Sequence, residues 1–168
     1  MATKSHPTSG SQVAALIAGS FLSGAMMDIS LIAVPVLLDT VTQPAHLLQQ
    51  WGRLYYYGHK MMPTLGVAVF TLYGYAAIKN RAVKRPWRSF LLAGIITLVM
   101  VPFTLIIMRP LNNTMFELEA ANKETPVIAL EEAQKLLVQW RCLHVVRSLF
   151  PLAGAALGSL AIFGGFEF

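Results

Sequence analysis

Apolar residues fall into four long runs, at about 13–38, 61–78, 90–108 and 148–166. Charges, amides and aromatic residues gather in the stretches between them. Each run is close to the roughly 20 residues that cross a hydrocarbon core of about 30 Å. In lipid every backbone group must find its partner within the protein, so such runs predict helices. The weak alternation of a membrane β-barrel is absent. The pattern therefore predicts an all-α integral membrane four-helix bundle over 13–166. A polar tail, 1–12, precedes it and is expected to be disordered. The second helix is expected to start near Ala45, just after Pro44. The third should end at Arg109-Pro110, before turn-prone stretches at Asn112-Asn113 and 123–126. Helical periodicity over 128–147, with Glu131 and Glu132 ahead of Lys135 and Arg141, predicts a long fourth helix that projects beyond the bilayer.

Composition supports the reading. The chain is 55% hydrophobic and 12% charged, against roughly 25% charged in soluble domains. The first run contains Asp28 and lacks a small-x-small cleavage site, so it reads as a retained span. The net charge of +5 is not a nucleic-acid signal: Lys79, Arg81, Lys84, Arg85 and Arg88 share one acid-free loop. The positive-inside rule puts that loop, and with four spans both termini, in the cytoplasm. Segments 39–60 and 109–147 then face the other side, which in a eukaryote is the lumen of the endoplasmic reticulum or a related endomembrane. Cys142 is the single cysteine, so no disulfide can form within the chain.

Two phrases repeat. Residues 47–63 read LLQQWGRLYYYGHKMMP and residues 136–151 read LLVQWRCLHVVRSLFP. Ala33-Val34-Pro35 and Met100-Val101-Pro102 extend the match upstream. The pattern suggests two parallel helix hairpins related by a rough two-fold axis along the membrane normal. Interfacial tryptophans and prolines within spans are common enough to produce it without symmetry. Gly154 and Gly158 form a G-x-x-x-G pair, and Ser20, Gly24 and Asp28 recur every four residues. Close helix packing, within one chain or between two copies, is the expected meaning.

The candidate chemistry collects at the outer mouth. Trp51, Tyr55 and His59 share one helix face, as do Trp140, His144 and Arg147. Tyr56, Arg109, Asn112 and Asn113 fall at the same level. An apolar ligand arriving from the lipid bilayer would meet aromatic walls, imidazoles, guanidinium groups and amides there. The same residues also suit an aromatic belt with cations reaching for headgroups. Asp28 lies well inside its span, where a carboxylate must be neutral, paired or facing a polar cavity. It is expected to accept a proton, to pair with Arg147 or Arg109, to anchor the pocket floor, or to fix packing through an interhelical hydrogen bond. His59, His144 and Asp28 lack a close ligand pair, so no metal site is assigned. Asn112-Asn113-Thr114 matches a glycosylation sequon very near the membrane.

Several of these segments together resemble one family. They are Phe21-x-Ser23-Gly24, Gln50-Trp51 with Tyr56 and Gly58-His59, Pro102-Phe103-Thr104, Pro110-x-Asn112-Asn113, and Trp140-x-x-x-His144-x-x-Arg147-Ser148-Leu149-x-Pro151-Leu152. The chain resembles the anthrone oxygenases, small four-span membrane proteins often encoded in fungal polyketide pathways. The likeness runs from about residue 13 to 163, and its last two motifs are the most specific. It implies oxidation of an anthrone, an apolar aromatic small molecule, to an anthraquinone with O2 and no other cofactor. On that reading His144 or His59 is the base, with His144 preferred because Arg147 lies one turn away. Arg147, Asn112 and Asn113 face the developing oxyanion, and Asp28 orients Arg147 or the histidine from below. Trp51, Tyr55 and Trp140 stack on the rings, with Tyr56 and Arg109 at the rim. The competing reading is a non-catalytic membrane protein that carries an apolar molecule or scaffolds other enzymes. A metal-dependent redox protein and an ion transporter remain further alternatives.

Overall fold

The computed structural model describes residues 9–122 and 127–163. Four helices account for nearly all of them: α1 Gly10–Thr40, α2 Pro44–Ala82, α3 Arg88–Ala121 and α4 Leu130–Phe163. All four are long and apolar enough to cross a membrane. At 1.5 Å per residue they run about 46–58 Å, well beyond a hydrocarbon core of about 30 Å.

Local sequence explains the ends. The Ser9 backbone N–H donates to the Gln12 side chain at 2.9 Å, half of a capping box that starts α1 at Gly10. Residues 10–12 therefore belong to the helix and not to the polar tail; residues 1–8 lie outside the described residues. Pro44 opens α2 behind an extended Gln43, a first-turn position where the missing N–H costs nothing. Glu131 and Glu132 occupy the first turn of α4, and Glu131 pairs with Lys135 at 2.8 Å on the surface.

The helices run alternately up and down, with α1 and α3 each packed between α2 and α4. Cross-links set the register. Gln12 reaches Asn80 at one end, which we term the base, and Ser23 Oγ donates to the Ser148 carbonyl at 2.9 Å midway. Gln134 reaches the Leu38 carbonyl at the opposite end, the crown. Gly154 and Gly158 are buried inside the chain. A Cβ on Gly154 would strike Thr97 and the Ala93 carbonyl of α3, and one on Gly158 would strike the Tyr73 ring of α2. The pair therefore serves close approach within the bundle.

The third helix departs from expectation. It does not stop at Arg109-Pro110 but continues to Ala121, so Asn112 and Asn113 are helical. The second turn-prone stretch, 123–126, lies outside the described residues. A π turn at Thr104–Met108 precedes Pro110, and a matching π turn at Ile29–Ala33 precedes Pro35. Proline has no N–H and crowds the carbonyl four residues back. A locally widened turn relieves that conflict and lets the helix go on. In the fold, then, the counterpart of Pro35 is Pro110, not the Pro102 that the repeat pairs with it.

Two apolar clusters form the core. One, toward the base, includes Leu22, Met26, Met62, Tyr73 and Met100. The other, toward the crown, includes Val34, Leu48, Trp51, Met108, Met115 and Trp140. A thin polar layer of Ser30, Thr104, His144 and Arg147 separates them. Outward, Phe21, Ile78 and Ile106 are each about two-thirds exposed, part of an apolar outer face.

Candidate functional site

The polar layer is built on α4. Trp140, His144 and Arg147 follow at intervals of four and three and turn the same face inward, where all three are buried. Trp140 and His144 stack, with centroids 4.6 Å apart and planes 22° apart. Each of the three is then fixed from a neighbouring helix. Trp140 Nε1–H donates to Asn112 Oδ1 of α3 at 3.0 Å. His144 Nδ1 lies 2.8 Å from Ser30 Oγ of α1, in a hydrogen bond either atom can donate. Arg147 Nη1 donates to Thr104 Oγ1 of α3 at 3.3 Å. The two hydroxyls both come from the π turns, where the helix is widened.

Helix α2 closes the site from the diagonal position. Trp51 is fully buried and stands edge-on to Trp140 at 6.1 Å. Tyr55 and Phe116 pack on Trp51 at 5.7 and 4.8 Å. The two tryptophan-headed stripes thus converge. Among the described residues two buried donors in this cluster have no partner: Trp51 Nε1 and Arg147 Nε. A buried donor left unpaired costs about 1–3 kcal/mol, and more for a charge. Among the described residues no carboxylate pairs with Arg147; the ion pair present is Glu131–Lys135 on the surface. A buried polar group without a partner calls for an explanation, and an oxygen-bearing ligand is one.

The other expected residues lie apart from this cluster. His59 is exposed; its Nδ1 bonds the Tyr55 carbonyl of its own helix at 3.1 Å and its ring stacks on Tyr55 at 5.4 Å. With Tyr55, Tyr56, Arg53, Phe116 and Glu119 it lines a groove of about 250 Å³. Tyr55 and Phe116 touch both this groove and Trp51. Tyr56 is exposed, its hydroxyl accepting from Lys60 at 2.7 Å. Asp28, Arg109 and Asn113 are exposed, and the structure does not bring them to the cluster. Residues two apart on a helix lie about 200° around its axis. Ser30 faces inward, so Asp28 faces out, on the same exposed stripe as Ser20 and Gly24. Asn113 is likewise turned about 100° away from buried Asn112. Among the described residues no three of His, Cys, Asp and Glu converge to hold a metal.

A family model described as anthrone oxygenase matches residues 51–157, from Trp51 through Asn112, Trp140, His144 and Arg147. The chain belongs to the anthrone oxygenase family. Anthrone oxygenase AgnL2 of Paecilomyces divaricatus is 54% identical over 156 residues, 91% of this chain and 95% of that protein. Anthrone oxygenase dmxR16 of a Cryptosporiopsis species is 47% identical over 165 residues, 96% and 93% of the two chains. Noranthrone monooxygenase of Aspergillus flavus is 40% identical over 156 residues, 92% of this chain and 74% of that protein. No solved structure matches the chain.

Three residues of the cluster in this anthrone oxygenase family member, Ser30, Thr104 and Phe116, are absent from the candidates read from the sequence. Ser30 falls in none of the motifs above, and Thr104 stands out only as part of Pro102-Phe103-Thr104. A usable sign was present in both cases: a hydroxyl residue five or six positions before a proline within an apolar helix, where a widened turn can aim it. Phe116 was missed because the third helix was expected to end before it.

Proposed function

We propose that this chain is a membrane-embedded monooxygenase that oxidises an anthrone to an anthraquinone with O2 and no further cofactor. One observation supports the reading: an imidazole and a guanidinium, His144 and Arg147, are buried one turn apart inside the bundle, and Arg147 Nε and Trp51 Nε1 are buried donors without a partner among the described residues. The names of the relatives support the substrate class.

The chemistry follows from the substrate. The central methylene of an anthrone is acidic because its anion spreads charge onto the ketone oxygen. His144 Nε2 takes one methylene proton, and Arg147 and Trp51 N–H donors hold the resulting oxyanion. The electron-rich anion gives one electron to O2. Radical and superoxide combine at the same carbon, and the imidazolium returns its proton to form a hydroperoxide. His144 then removes the second proton as the O–O bond breaks. The carbon becomes a carbonyl, and the departing hydroxide leaves as water. One oxygen atom of O2 ends in the quinone and the other in water.

From Phe163 to His144 is 19 residues of helix, or about 29 Å. With the base at one edge of the hydrocarbon, the polar layer falls at the other edge. The basic residues around the α2–α3 link favour the base on the cytosolic side of an endomembrane, with the site at the lumenal boundary. The substrate approaches through the groove lined by Tyr55 and Phe116. The second reading, a carrier of apolar molecules, draws on the groove of about 590 Å³ between α1 and α2, lined by Ala33, Val36, Leu37, Leu54 and Tyr57.

Turnover decides between them. The full chain in lipid nanodiscs, given an anthrone and 18O2, is expected to form quinone well above the spontaneous rate, with one labelled oxygen per product. Binding of the anthrone with no rate above background would overturn the oxygenase reading in favour of carriage.

A further inference from the structure

Hydroxyl residues inside these helices mostly turn back on themselves. Thr64, Thr71 and Thr97 each donate to the carbonyl four residues earlier, the usual local bond of a helical threonine. Ser30 does otherwise. It is fully buried in the π turn Ile29–Ala33, and its Oγ reaches across to His144 Nδ1 at 2.8 Å. The partner set on one imidazole nitrogen fixes which nitrogen carries the proton. Nδ1 is engaged by Ser30, and Nε2 takes no hydrogen bond from the described residues. Trp140 stacks on the ring and is itself held by Asn112, so the imidazole is fixed in plane as well as in rotation.

We propose that Ser30 is a positioning residue for His144: its hydroxyl accepts the Nδ1 proton, leaving Nε2 as the unprotonated nitrogen that draws the proton from the substrate. The proposal rests on His144 being the base. Ser30 lies in the π turn and continues the buried face of Ser23 and Met26, at a depth where a neighbouring carboxylate, Asp28, points away. A carboxylate partner would hold the imidazole as a cation; a neutral hydroxyl orients it without doing so. Fixing a histidine in one tautomer through its second nitrogen is how orienting groups act in hydrolytic triads.

The test pairs two buried serines of α1. Ser23 Oγ also crosses to α4, donating to the Ser148 carbonyl at 2.9 Å, but lies away from the imidazole. Full-length wild type, Ser30→Ala, Ser30→Thr and Ser23→Ala would be labelled with 15N-histidine in nanodiscs. The His144 signal is assigned by difference from His144→Gln. Wild type is expected to show the Nδ1–H tautomer alone, and Ser30→Ala a mixture. Ser30→Ala should lower kcat about tenfold to a hundredfold while KM moves less than about threefold. Ser30→Thr should keep the wild-type tautomer and most of kcat, and Ser23→Ala should change neither. An Nε2–H tautomer in wild type would overturn the proposal whatever the serine variants show. Equal loss of kcat in Ser30→Ala and Ser23→Ala, with unchanged tautomers, would reduce Ser30 to packing. A tautomer fixed by Ser30 in a protein that oxidises no anthrone would overturn the oxygenase reading and leave the positioning role standing.

Discussion

Trp140 lies almost flat on His144, 4.6 Å between centroids, while its own N–H is held by Asn112 of the adjacent helix. Spacing of four puts Trp140 and His144 on one helix face, and the Asn112 bond ties α3 to the imidazole through the indole. Trp140→Phe keeps the stack and deletes the hydrogen bond, leaving the Asn112 oxygen buried and unpaired. It is expected to cost about 1–3 kcal/mol of stability. The double variant with Asn112→Ala should cost less than the sum of the two singles. Unfolding in micelles measures both; additive costs would show that the bond contributes nothing.

His144 and His59 are separated by burial. His144→Ala should lower quinone formation about 10²–10⁴-fold, the usual contribution of a general base. His59→Ala, an exposed imidazole bonded to its own helix, should stay within about threefold. Initial rates above the spontaneous background check this, and the reverse ranking would move the chemistry to the groove.

Arg147 donates through two different nitrogens in the reading above, Nη1 to Thr104 and Nε to the ligand. Lysine has a single ammonium and cannot reproduce that fork. Arg147→Lys is expected to retain the fold and lose about 10²–10³ in kcat, the scale of removing one oxyanion donor. Near-normal kcat in the lysine variant would mean that charge alone suffices.

Two glycines on different faces should behave oppositely. A Cβ on Gly154 would meet the Ala93 carbonyl at 2.6 Å, while one on Gly24 would meet nothing within 4 Å. Gly154→Ala is expected to destabilise by about 1–3 kcal/mol. Gly24→Ala should stay within about 0.5 kcal/mol. Thermal unfolding distinguishes them.

Asp28 invites a catalytic role from its depth in the first apolar run, but it faces outward. Asp28→Asn should leave turnover within about twofold. A loss on the scale of His144→Ala would bring the carboxylate back into the chemistry.

The residues that were legible and those that were not divide by mechanism. Trp51, Trp140, His144 and Arg147 were legible because spacing of three and four on a helix puts residues on one face whatever the neighbours do. Asp28, Arg109 and Asn113 were matched to the site by depth alone, and depth says nothing about direction around the axis. On α1 the apolar residues run nearly all the way round, so periodicity gives no inward side. Packing of Ser23 on α4 and of Gly19 on α2 sets it instead.

The sequence by itself determined four apolar helices, their approximate lengths and the gathering of Trp51, Tyr55, Trp140, His144 and Arg147 toward one end, because hydropathy and helical period are summed locally along the chain. Only the tertiary structure decided that the third helix runs through Pro110, that two π turns present Ser30 and Thr104, and that Asn112 fixes Trp140. Those outcomes depend on how a proline's lost hydrogen bond is absorbed and on which side of each helix its neighbours cover. Both are settled by contacts between segments more than 25 residues apart.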